Sequence, residues 1–428
     1  MKLERPLTQN IIPGADPLDL DGYEIQGGYE ALRKALKDFS PSDVIATVKA
    51  SGLRGRGGAG FPTGIKWEVM QPLSKSSRPR YLVVNADEME PGTFKDRVLM
   101  EGDPHLLLEG IILSAYAIQA DIAYIFLRAE YSAAERILTR AIQECYARNY
   151  LGKNILRSDY TLEVYLHQSA GRYICGEETA LLNALEGKRA IPRSKPPYPG
   201  MSGLFGKPTV VNNVETLCSI PGIILKGVDW FRSLSCTAEG GTKIYGASGR
   251  VKRPGWWELP MGTPALEIIE DYAGGMEEGY QVRGLIPGGA STAFLPTDHL
   301  KTPMDFSSLQ KVGTRLGTGT MIVLDDRTCP VGMVHNLEIF FARESCGWCT
   351  PCREGLPWVE KMLRAFEEGQ GTYEYLEILE QHTRLLGPGR TFCSLAPGAM
   401  EPLVSALIYY RAEFERHVEV RGCPWKGF

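Results

Sequence analysis

The stretch RYLVVNADEMEPGTFKDR, residues 80–97, begins with a short apolar run and ends in an acidic loop. Such a run between polar residues is typical of a buried strand. Similar runs occur in DIAYIFLR, residues 121–128, and in TLEVYLH, residues 161–167. We therefore expect three strands, each followed by a polar segment.

Helical patterns alternate with these strands, in DPHLLLEGIILSAYAI (103–118), YSAAERILTRAIQECYARN (131–149) and GEETALLNALEG (176–187). Ser132 is the expected N-cap of the second helix, and Gly187 the expected end of the third. Alternating strands and helices predict an α/β fold with a parallel sheet. Because such sheets bind ligands beyond the carboxyl ends of their strands, residues 85–96 and 169–178 form the expected functional edge.

The composition is that of an ordinary globular protein, with 428 residues, 43% hydrophobic residues and a net charge of -4. This charge gives no footprint for nucleic acid or an anionic membrane. The most apolar region, residues 106–127, is interrupted by Glu109, Gln119 and Asp121, so we do not expect a membrane span. The start of the chain lacks the apolar core of a signal peptide, and we expect a cytoplasmic protein with reduced cysteines.

The remaining segments suggest further organisation. Up to about residue 50 we expect extended segments and then two helices, and Thr63 is a candidate cap for a short helix that contains Lys66. Residues 190–227 resemble a long ordered connection. Two short strands are expected around residues 253–255, followed by a helix from Thr263, and beyond residue 328 mostly helices.

Four cysteines have the spacing of a metal site. Cys346, Cys349 and Cys352 form a C-x2-C-x2-C triplet, and Cys393 follows later in the chain. A triplet with a remote fourth thiolate favours a 4Fe–4S cluster, whereas structural zinc sites usually contain two C-x-x-C pairs. Zinc is the alternative. The other six cysteines show no ligand spacing relative to one another.

The segment GLRGRGGAGFPTGIKW, residues 52–67, contains a literal G-x-G-x-x-G. In a Rossmann fold this motif follows a strand, but here the preceding residues 40–51 have a helical pattern. The segment therefore does not have the context of a Rossmann fingerprint. Its glycines still permit close approach of a ligand, and Arg54, Arg56 and Lys66 add cations that suit a phosphate.

The acidic loop carries Asp87, Glu88, Glu90 and Asp96 at the end of the first predicted strand. For an arbitrary loop, a solvated charged surface would be the simpler interpretation. The position at a strand end instead favours hydrogen bonds to ribose hydroxyls or control of a redox cofactor. Glu177 and Glu178 lie in the first turn of a predicted helix, where acids also serve merely to complement the helix dipole.

Six motifs together resemble the NADH-binding flavoprotein subunit of respiratory complex I, an NADH:quinone oxidoreductase. The motifs are GLRGRGGAGFPTGIKW, NADEMEPGTFKDR, YICGEETAL, KPPYPG, PTVVNNVET and ESCGWCTPCREG. The resemblance implies FMN, NADH and a 4Fe–4S cluster in one chain. It also implies three domains: an FMN/NADH-binding α/β domain (1–235), a ubiquitin-like β-grasp domain (236–328) and a helical bundle that carries the cluster (329–428).

The resemblance also implies roles for individual residues. The FMN-binding residues would be Gly55, Arg56, Gly57, Lys66, Asn85, Asp87, Glu88, Tyr173, Gly176, Glu177, Asn212, Asn213 and Thr216. Phe61, Lys195 and Tyr198 would hold the adenine end of NADH. Glu90 and Glu178 would face its nicotinamide and ribose as the catalytic-site carboxylates, and Cys346, Cys349, Cys352 and Cys393 would bind the cluster.

Three positions depart from the family pattern. Met89 stands where a small residue is usual, Ser169 replaces a glycine, and Val69 replaces an aromatic residue found in some relatives. These differences concern local contacts and not the implied activity.

The implied reaction is hydride transfer from NADH to FMN, followed by single-electron transfer to the cluster and onward to quinone. The implied partners are a thioredoxin-like 2Fe–2S subunit and a larger iron–sulfur subunit. The chain would lie in a peripheral arm on the cytoplasmic side of the inner membrane and contact the membrane only through other subunits. Two alternatives are a diaphorase subunit of a soluble NAD-linked hydrogenase or formate dehydrogenase, and a non-catalytic zinc-containing scaffold protein.

Overall fold

A computed structural model of the chain describes residues 3–70 and 78–425. The chain divides into two compact units. Of the described residues, the first unit comprises 3–70, 78–89, 94–244 and 258–262, and the second comprises 90–93, 245–257 and 263–425.

The first unit contains a four-stranded sheet. Its strands are β1 (Tyr81–Ala86), β2 (Ile122–Leu127), β3 (Glu163–Gln168) and β4 (Thr209–Asn213). Their order is β3-β2-β1-β4, and every neighbouring pair is parallel. The predicted α/β fold with a parallel sheet is confirmed. The prediction that residues 190–227 form a long connection is wrong, because they contain β4 and two helices.

Helices surround this sheet. They are α1 (Leu20–Ile25), α2 (Glu30–Asp38), α3 (Pro41–Ser51), α4 (Thr63–Glu68), α5 (Lys95–Gly102), α6 (Pro104–Ile118), α7 (Ser132–Ala147), α8 (Glu178–Leu185), α9 (Val214–Cys218), α10 (Ile220–Lys226) and α11 (Val228–Ser233). The N-terminal region has three helices instead of the expected two. Ser132 is the first residue of α7 and not its cap, because Tyr131 takes the N-cap position.

Helix α6 shows where the most apolar part of the sequence lies. Asp103 caps it by accepting a hydrogen bond from the amide of Leu106 at 3.1 Å. All of its residues except Tyr116 are buried, so its apolar surface belongs to the core of the first unit. Within residues 3–70 and 78–425, no helix is both long and apolar enough to cross a membrane.

A second sheet has the strand order β6-β5-β9-β7-β8. Its strands are β5 (Thr242–Ser248), β6 (Gly255–Pro260), β7 (Val282–Ile286), β8 (Leu295–Pro296) and β9 (Thr320–Asp325). Strand β9 pairs with β5 in parallel and with β7 in antiparallel orientation. The two strands predicted around residues 253–255 are confirmed. The expected helix from Thr263 is only the short α12 (Ala265–Glu267), which continues as a π-helical turn over Ile268–Tyr272.

The end of the second unit is helical, as predicted. Its helices are α13 (Phe306–Lys311), α14 (Pro330–Glu344), α15 (Thr350–Glu367), α16 (Tyr373–Leu385), α17 (Leu395–Tyr409) and α18 (Arg411–Glu419). Helix α14 packs on α15 and α17, and α15 packs on α16 and α18. Phe341, Leu356, Leu363, Phe366 and Phe414 are fully buried in this unit.

Candidate nucleotide site and cysteine site

The strand order of the first sheet identifies the edge where a ligand binds. From β1 the chain proceeds to β2 and β3 on one side, whereas β4 lies on the other side of β1. Such a reversal opens a crevice beyond the carboxyl ends of the two strands that flank it. Asn85 near the end of β1 is in register with Asn213 at the end of β4. Two predicted site residues therefore meet at this crevice.

The glycine loop, residues 52–62, lies against the end of β4. The amide of Gly55 donates to the carbonyl of Phe61 at 2.9 Å and closes the loop. A Cβ atom at Gly57 would be 3.1 Å from Cβ of Asn213, so a larger residue would crowd the strand end. The amide of Arg56 donates to Thr216 Oγ1 at 2.8 Å. The loop follows α3, as the sequence predicted, and belongs to the same edge as Asn213.

Two of the three predicted phosphate-binding cations, Arg54 and Arg56, instead make hydrogen bonds to other groups of the protein. The guanidinium of Arg54 donates to the carbonyl of Gly60 and pairs with Glu239, both at 2.7 Å. The guanidinium of Arg56 is buried and donates to the carbonyl of Gly240 at 3.0 Å. Both the main-chain amide and the guanidinium of Arg56 are therefore committed to protein contacts.

Lys66, the third cation, belongs to a group of alternating charges. Its Nζ lies 2.7 Å from Glu178 Oε2 and 2.8 Å from the carbonyl of Val211 on β4. Lys195 lies 3.2 Å from Glu178 and 3.0 Å from Glu177. Burial by itself would raise the pKa of Glu178, but Lys66 and Lys195 hold that pKa below its usual value. Glu178 is therefore an anion located between two cations.

Glu177 has a structural role as well. Its carboxylate caps α8 by accepting hydrogen bonds from the amides of Thr179 and Ala180, both at 2.9 Å. This is the helix-start function that acids in this position commonly perform. Its contact with Lys195 also joins it to the alternating charges at the sheet edge.

The acidic loop is not a solvated surface, because Asp87, Glu88 and Asp96 are buried. Ser169 Oγ donates to Asp87 at 2.8 Å and thereby joins the ends of β3 and β1. Glu88 accepts from the amides of Asp96 and Arg97, at 2.9 and 3.1 Å, at the start of α5. Burial raises the pKa of Glu88 to about 7. The carboxylate of Glu88 is thus committed to protein contacts.

A buried network of charged side chains contacts Asn213, and it was not predicted from the sequence. Lys95 Nζ is 2.7 Å from Asp96 and 3.0 Å from Glu215, and Lys243 Nζ is 2.9 Å from Glu215. Asn213 Nδ2 donates to Asp96 at 2.7 Å. The network therefore fixes the orientation of the Asn213 side chain. A lone Lys or Glu in sequence gives no signal of such pairing, because the partners that the fold brings to it are not its neighbours along the chain.

The outer part of the edge is open and aromatic. Phe61 and Tyr198 keep 55% and 59% of their surface exposed. Gly176 is exposed, and a Cβ atom added there would meet no atom within 4 Å. Trp67 Nε1 donates to Asn212 at 2.9 Å and fixes the amide of Asn212. Bare backbone, exposed rings and oriented amides fit a planar cofactor with polar edges.

Glu90 belongs to the second unit, where its described contacts lie. Its carboxylate accepts a hydrogen bond from the amide of Ser291 at 2.6 Å. A Cβ atom at Gly289 would lie 2.5 Å from Glu90 Cγ, so only glycine fits there without displacing this side chain. Its predicted role at the nicotinamide stays a prediction, as do the local effects of Met89 and Val69.

The four predicted metal-binding cysteines lie at the start of α15 and in the two segments that precede α15 and α17 in the second unit. Cys346 and Cys349 precede α15, Cys352 is in its first turn, and Cys393 precedes α17. Burial, and further the nearby thiols of Cys349, Cys393 and Cys346, raise the pKa of the Cys352 thiol to about 12, against a hydrogen bond with Ser345. The fold therefore brings the remote Cys393 into the neighbourhood of the triplet. Four such soft donors fit an iron–sulfur cluster.

Two family profiles match this chain in the regions just described. Residues 48–222 match the Nuo51 FMN-binding domain, and residues 332–417 match the NADH-ubiquinone oxidoreductase-F iron-sulfur binding region. The F subunit of the NADH-quinone oxidoreductase of Salmonella typhimurium is 56% identical over 97% of this chain and 93% of the relative. The chain belongs to the family of these F subunits. The F subunit of the Escherichia coli enzyme shows the same identity and coverage, and an F subunit of Rhizobium meliloti NADH-quinone oxidoreductase is 50% identical over 95% of this chain and 96% of its own length.

A solved structure is similar as well. In the air-oxidised NAD+-reducing [NiFe]-hydrogenase, one chain superposes with a TM-score of 0.81 and 35% identity. The match covers 92% of the present chain but 65% of the hydrogenase chain, so the present chain spans about two thirds of that length.

Membership in this family determines the activity. The chain is the NADH-oxidising flavoprotein of the complex I dehydrogenase module, with FMN and a 4Fe–4S cluster as cofactors and NADH as substrate. The predicted family, activity and cofactors are confirmed. Of the interpretations considered from sequence, this one is supported over the hydrogenase-type diaphorase and the zinc scaffold.

Proposed function

We propose that FMN occupies the crevice at the carboxyl ends of β1 and β4. The observation that carries this proposal is the juxtaposition of Asn85, Asn213 and the glycine loop at the point where the strand order reverses. The proposed binding residues are Gly55, Arg56, Gly57, Lys66, Asn85, Asp87, Tyr173, Gly176, Glu177, Asn212, Asn213 and Thr216. Glu88 contributes indirectly, since its carboxylate fixes the start of α5.

NADH is proposed to enter over the exposed rings of Phe61 and Tyr198, with Lys195 beside the adenosine. Exposed aromatic faces stack on a purine without a change in conformation. Glu178 and Glu90 are assigned to the ribose and nicotinamide. The carboxylate of Glu178 lies 3.2 Å from Lys195 and is proposed to accept hydrogen bonds from the adenosine ribose and to repel a 2′-phosphate there, which favours NADH over NADPH.

When bound, FMN supplies hydride acceptance and the cluster supplies one-electron transfer. The chain itself provides alignment and charge. Oriented amides of Asn212 and Asn213 hold polar edges of the cofactor, and Lys66 provides a cation for its phosphate when Glu178 turns to the nicotinamide nucleotide. No side chain is required to act as a proton donor or acceptor.

The finer architecture is proposed as follows. Residues 1–235 are the nucleotide-binding domain, residues 236–328 a β-grasp domain and residues 329–428 a helical bundle in which Cys346, Cys349, Cys352 and Cys393 ligate the cluster. The mixed sheet with β9 beside β5 and β7, and the packing of α14 to α18, support this division. The proposed partners are a thioredoxin-like 2Fe–2S subunit and a larger iron–sulfur subunit, in a peripheral arm on the cytoplasmic side of the inner membrane.

Gly176→Ala tests the proposed position of the nucleotides. The added methyl group meets no protein atom within 4 Å, so the stability of the apoprotein should not change. If a nucleotide lies against Gly176, the methyl group should weaken FMN or NADH binding by roughly tenfold or more. Flavin content per chain and the Kd for NADH are the measurements.

Gly255→Ala is the matched control, because a Cβ atom there has only ordinary contacts, at 3.7 Å or more from Trp257. It should change neither binding nor stability. Unchanged flavin content and unchanged NADH affinity in Gly176→Ala would place both nucleotides elsewhere and overturn the proposed site.

A further inference from the structure

A second group of metal-binding side chains lies in the second unit, away from the cluster cysteines in sequence. Cys329, Glu367, His417 and Cys423 place one ligand atom each within 4.8 Å of one another. Their sequence separations give no motif, which is why the sequence did not reveal them. We propose that these four residues form a structural zinc site, which is independent of the proposed function.

Three of the distances among the ligand atoms fit tetrahedral zinc. Cys329 Sγ lies 3.5 Å from both Glu367 Oε1 and His417 Nε2, and these two atoms are 3.1 Å apart. Tetrahedral zinc with ordinary bond lengths separates sulfur from nitrogen or oxygen by about 3.6 Å, and nitrogen from oxygen by about 3.4 Å. Cys329, Glu367 and His417 therefore need to move by only a few tenths of an ångström, and the sulfur of Cys423 lies within 4.8 Å of their ligand atoms.

The surroundings orient two of the ligands. His417 Nδ1 is hydrogen-bonded to the carbonyl of Glu413 at 2.6 Å, which directs Nε2 towards the other three ligands. Cys329 is the N-cap of α14, and its sulfur accepts the amide of Gly332 at 3.2 Å. A helix N-terminus that donates to sulfur stabilises the thiolate form, which is the form that binds metal.

The donor set selects the metal. Thiolate, imidazole and carboxylate groups are all zinc ligands, whereas calcium and magnesium prefer sites made of oxygen ligands alone. All four tetrahedral positions come from the protein, so no position is left for water or substrate. The site is therefore structural and not catalytic.

The position of the site indicates what the metal would stabilise. Helices α14 and α15 pack on each other and are joined by residues 345–349, which contain two of the cluster cysteines. Cys329 precedes the first residue of α14, and Glu367 is the last residue of α15. Both therefore lie at the ends of these helices that are distant from residues 345–349. His417 on α18 and Cys423 in the C-terminal segment complete the set. Zinc would fasten the C-terminal segment to the helix pair at the end remote from the cluster.

Elemental analysis of the holoprotein tests this inference. After expression with added zinc, the protein should contain roughly one zinc ion per chain in addition to its iron. Cys423→Ser and Glu367→Gln should each lower zinc content by roughly tenfold, with iron and flavin unchanged. Cys236→Ser, which alters an exposed cysteine of the first unit, should leave all three unchanged.

Cobalt substitution and a second substitution at position 367 provide tests that do not depend on the folding of Cys423→Ser or Glu367→Gln. In the unaltered protein, cobalt(II) should replace zinc and give thiolate-to-cobalt absorption in a difference spectrum. Glu367→His should retain more zinc than Glu367→Gln, because an imidazole of similar reach is also a zinc ligand. Background zinc in the unaltered protein, unchanged zinc in Cys423→Ser, or a disulfide between Cys329 and Cys423 in the purified protein would each overturn the proposal.

Discussion

At the sheet edge of the first unit, positively and negatively charged side chains pair with one another. In the second unit, by contrast, four thiol groups that are typical metal ligands lie near the starts of α15 and α17. Lys66, Glu178 and Lys195 alternate in charge, and Glu215 is held between Lys95 and Lys243. The four cluster cysteines instead place soft thiols together. The comparison suggests that the nucleotide site is organised before its ligand binds, while the cysteine site is completed by its cluster.

Removing one cluster ligand should have the largest effect. Cys393→Ser should abolish or strongly weaken the low-temperature paramagnetic signal of the reduced 4Fe–4S cluster, because serine is a poor ligand for iron in such clusters. NADH-dependent reduction of an artificial acceptor should persist, since flavin chemistry precedes the cluster. Cys236→Ser serves as the control. An unchanged cluster signal would remove Cys393 from the ligand set, and loss of flavin would contradict the independence of the two sites.

A smaller but still large effect is expected in the buried charge network. Glu215→Gln leaves Lys243 and Lys95 without their shared carboxylate and should lower the free energy of unfolding by about 3–5 kcal/mol. Glu101→Gln, which breaks a surface pair with Arg97, should change it by less than about 0.5 kcal/mol. Denaturant unfolding measures both. Equal effects would show that the network does not support the sheet edge.

The same variant should change the acid dependence of stability. Lys243, Lys95 and Arg56 lower the pKa of Glu215 to about 2, against the opposing effect of burial. In the unfolded chain, a glutamate carboxyl has a pKa of about 4.3. A lower pKa in the folded protein stabilises the fold at pH values above about 4.3, and this stabilisation is lost as the pH falls towards 2. Glu215→Gln should therefore flatten the decline of stability between these pH values, measured by unfolding at a series of pH values.

The smallest expected effect concerns the choice of nucleotide. Glu178→Gln removes a negative charge from the proposed ribose site and should raise the ratio of kcat/KM for NADPH to that for NADH by roughly tenfold. Glu68→Gln, which removes a carboxylate paired with Lys49 on the surface, should leave the ratio at its original value. If both variants behave alike, Glu178 contributes only to the charge pairs at the start of α8.

The sequence predicted local features that depend on near neighbours. Short apolar runs indicated β1, β2 and β3, the Asp-Pro pair indicated the start of α6, and the C-x2-C-x2-C triplet indicated the metal site. It did not reveal β4, because the five residues TVVNN lie in a segment rich in glycine and proline whose composition resembles a connection. Without β4, the position of the crevice beside β1 could not be deduced.

Ser169 illustrates the same limit at a single residue. In sequence it was a departure from a family glycine, and in the structure its hydroxyl donates to Asp87 across two strand ends. The role of Glu88 at the cofactor stays a prediction, and in the structure its carboxylate accepts hydrogen bonds from amides at the start of α5. Which role a carboxylate takes depends on the donors that the fold brings to it.

By itself, the sequence determined the alternation of strands and helices and the motifs of the flavoprotein family, and it predicted the cluster cysteines, since each depends on spacing along the chain. Only the tertiary structure decided the partners of buried charges and the meeting of Cys329 with Cys423. Hydrogen bonds and ion pairs act over a few ångströms in space, whatever the separation in sequence. Burial then makes each buried charge depend on a partner that its own neighbours in sequence do not identify.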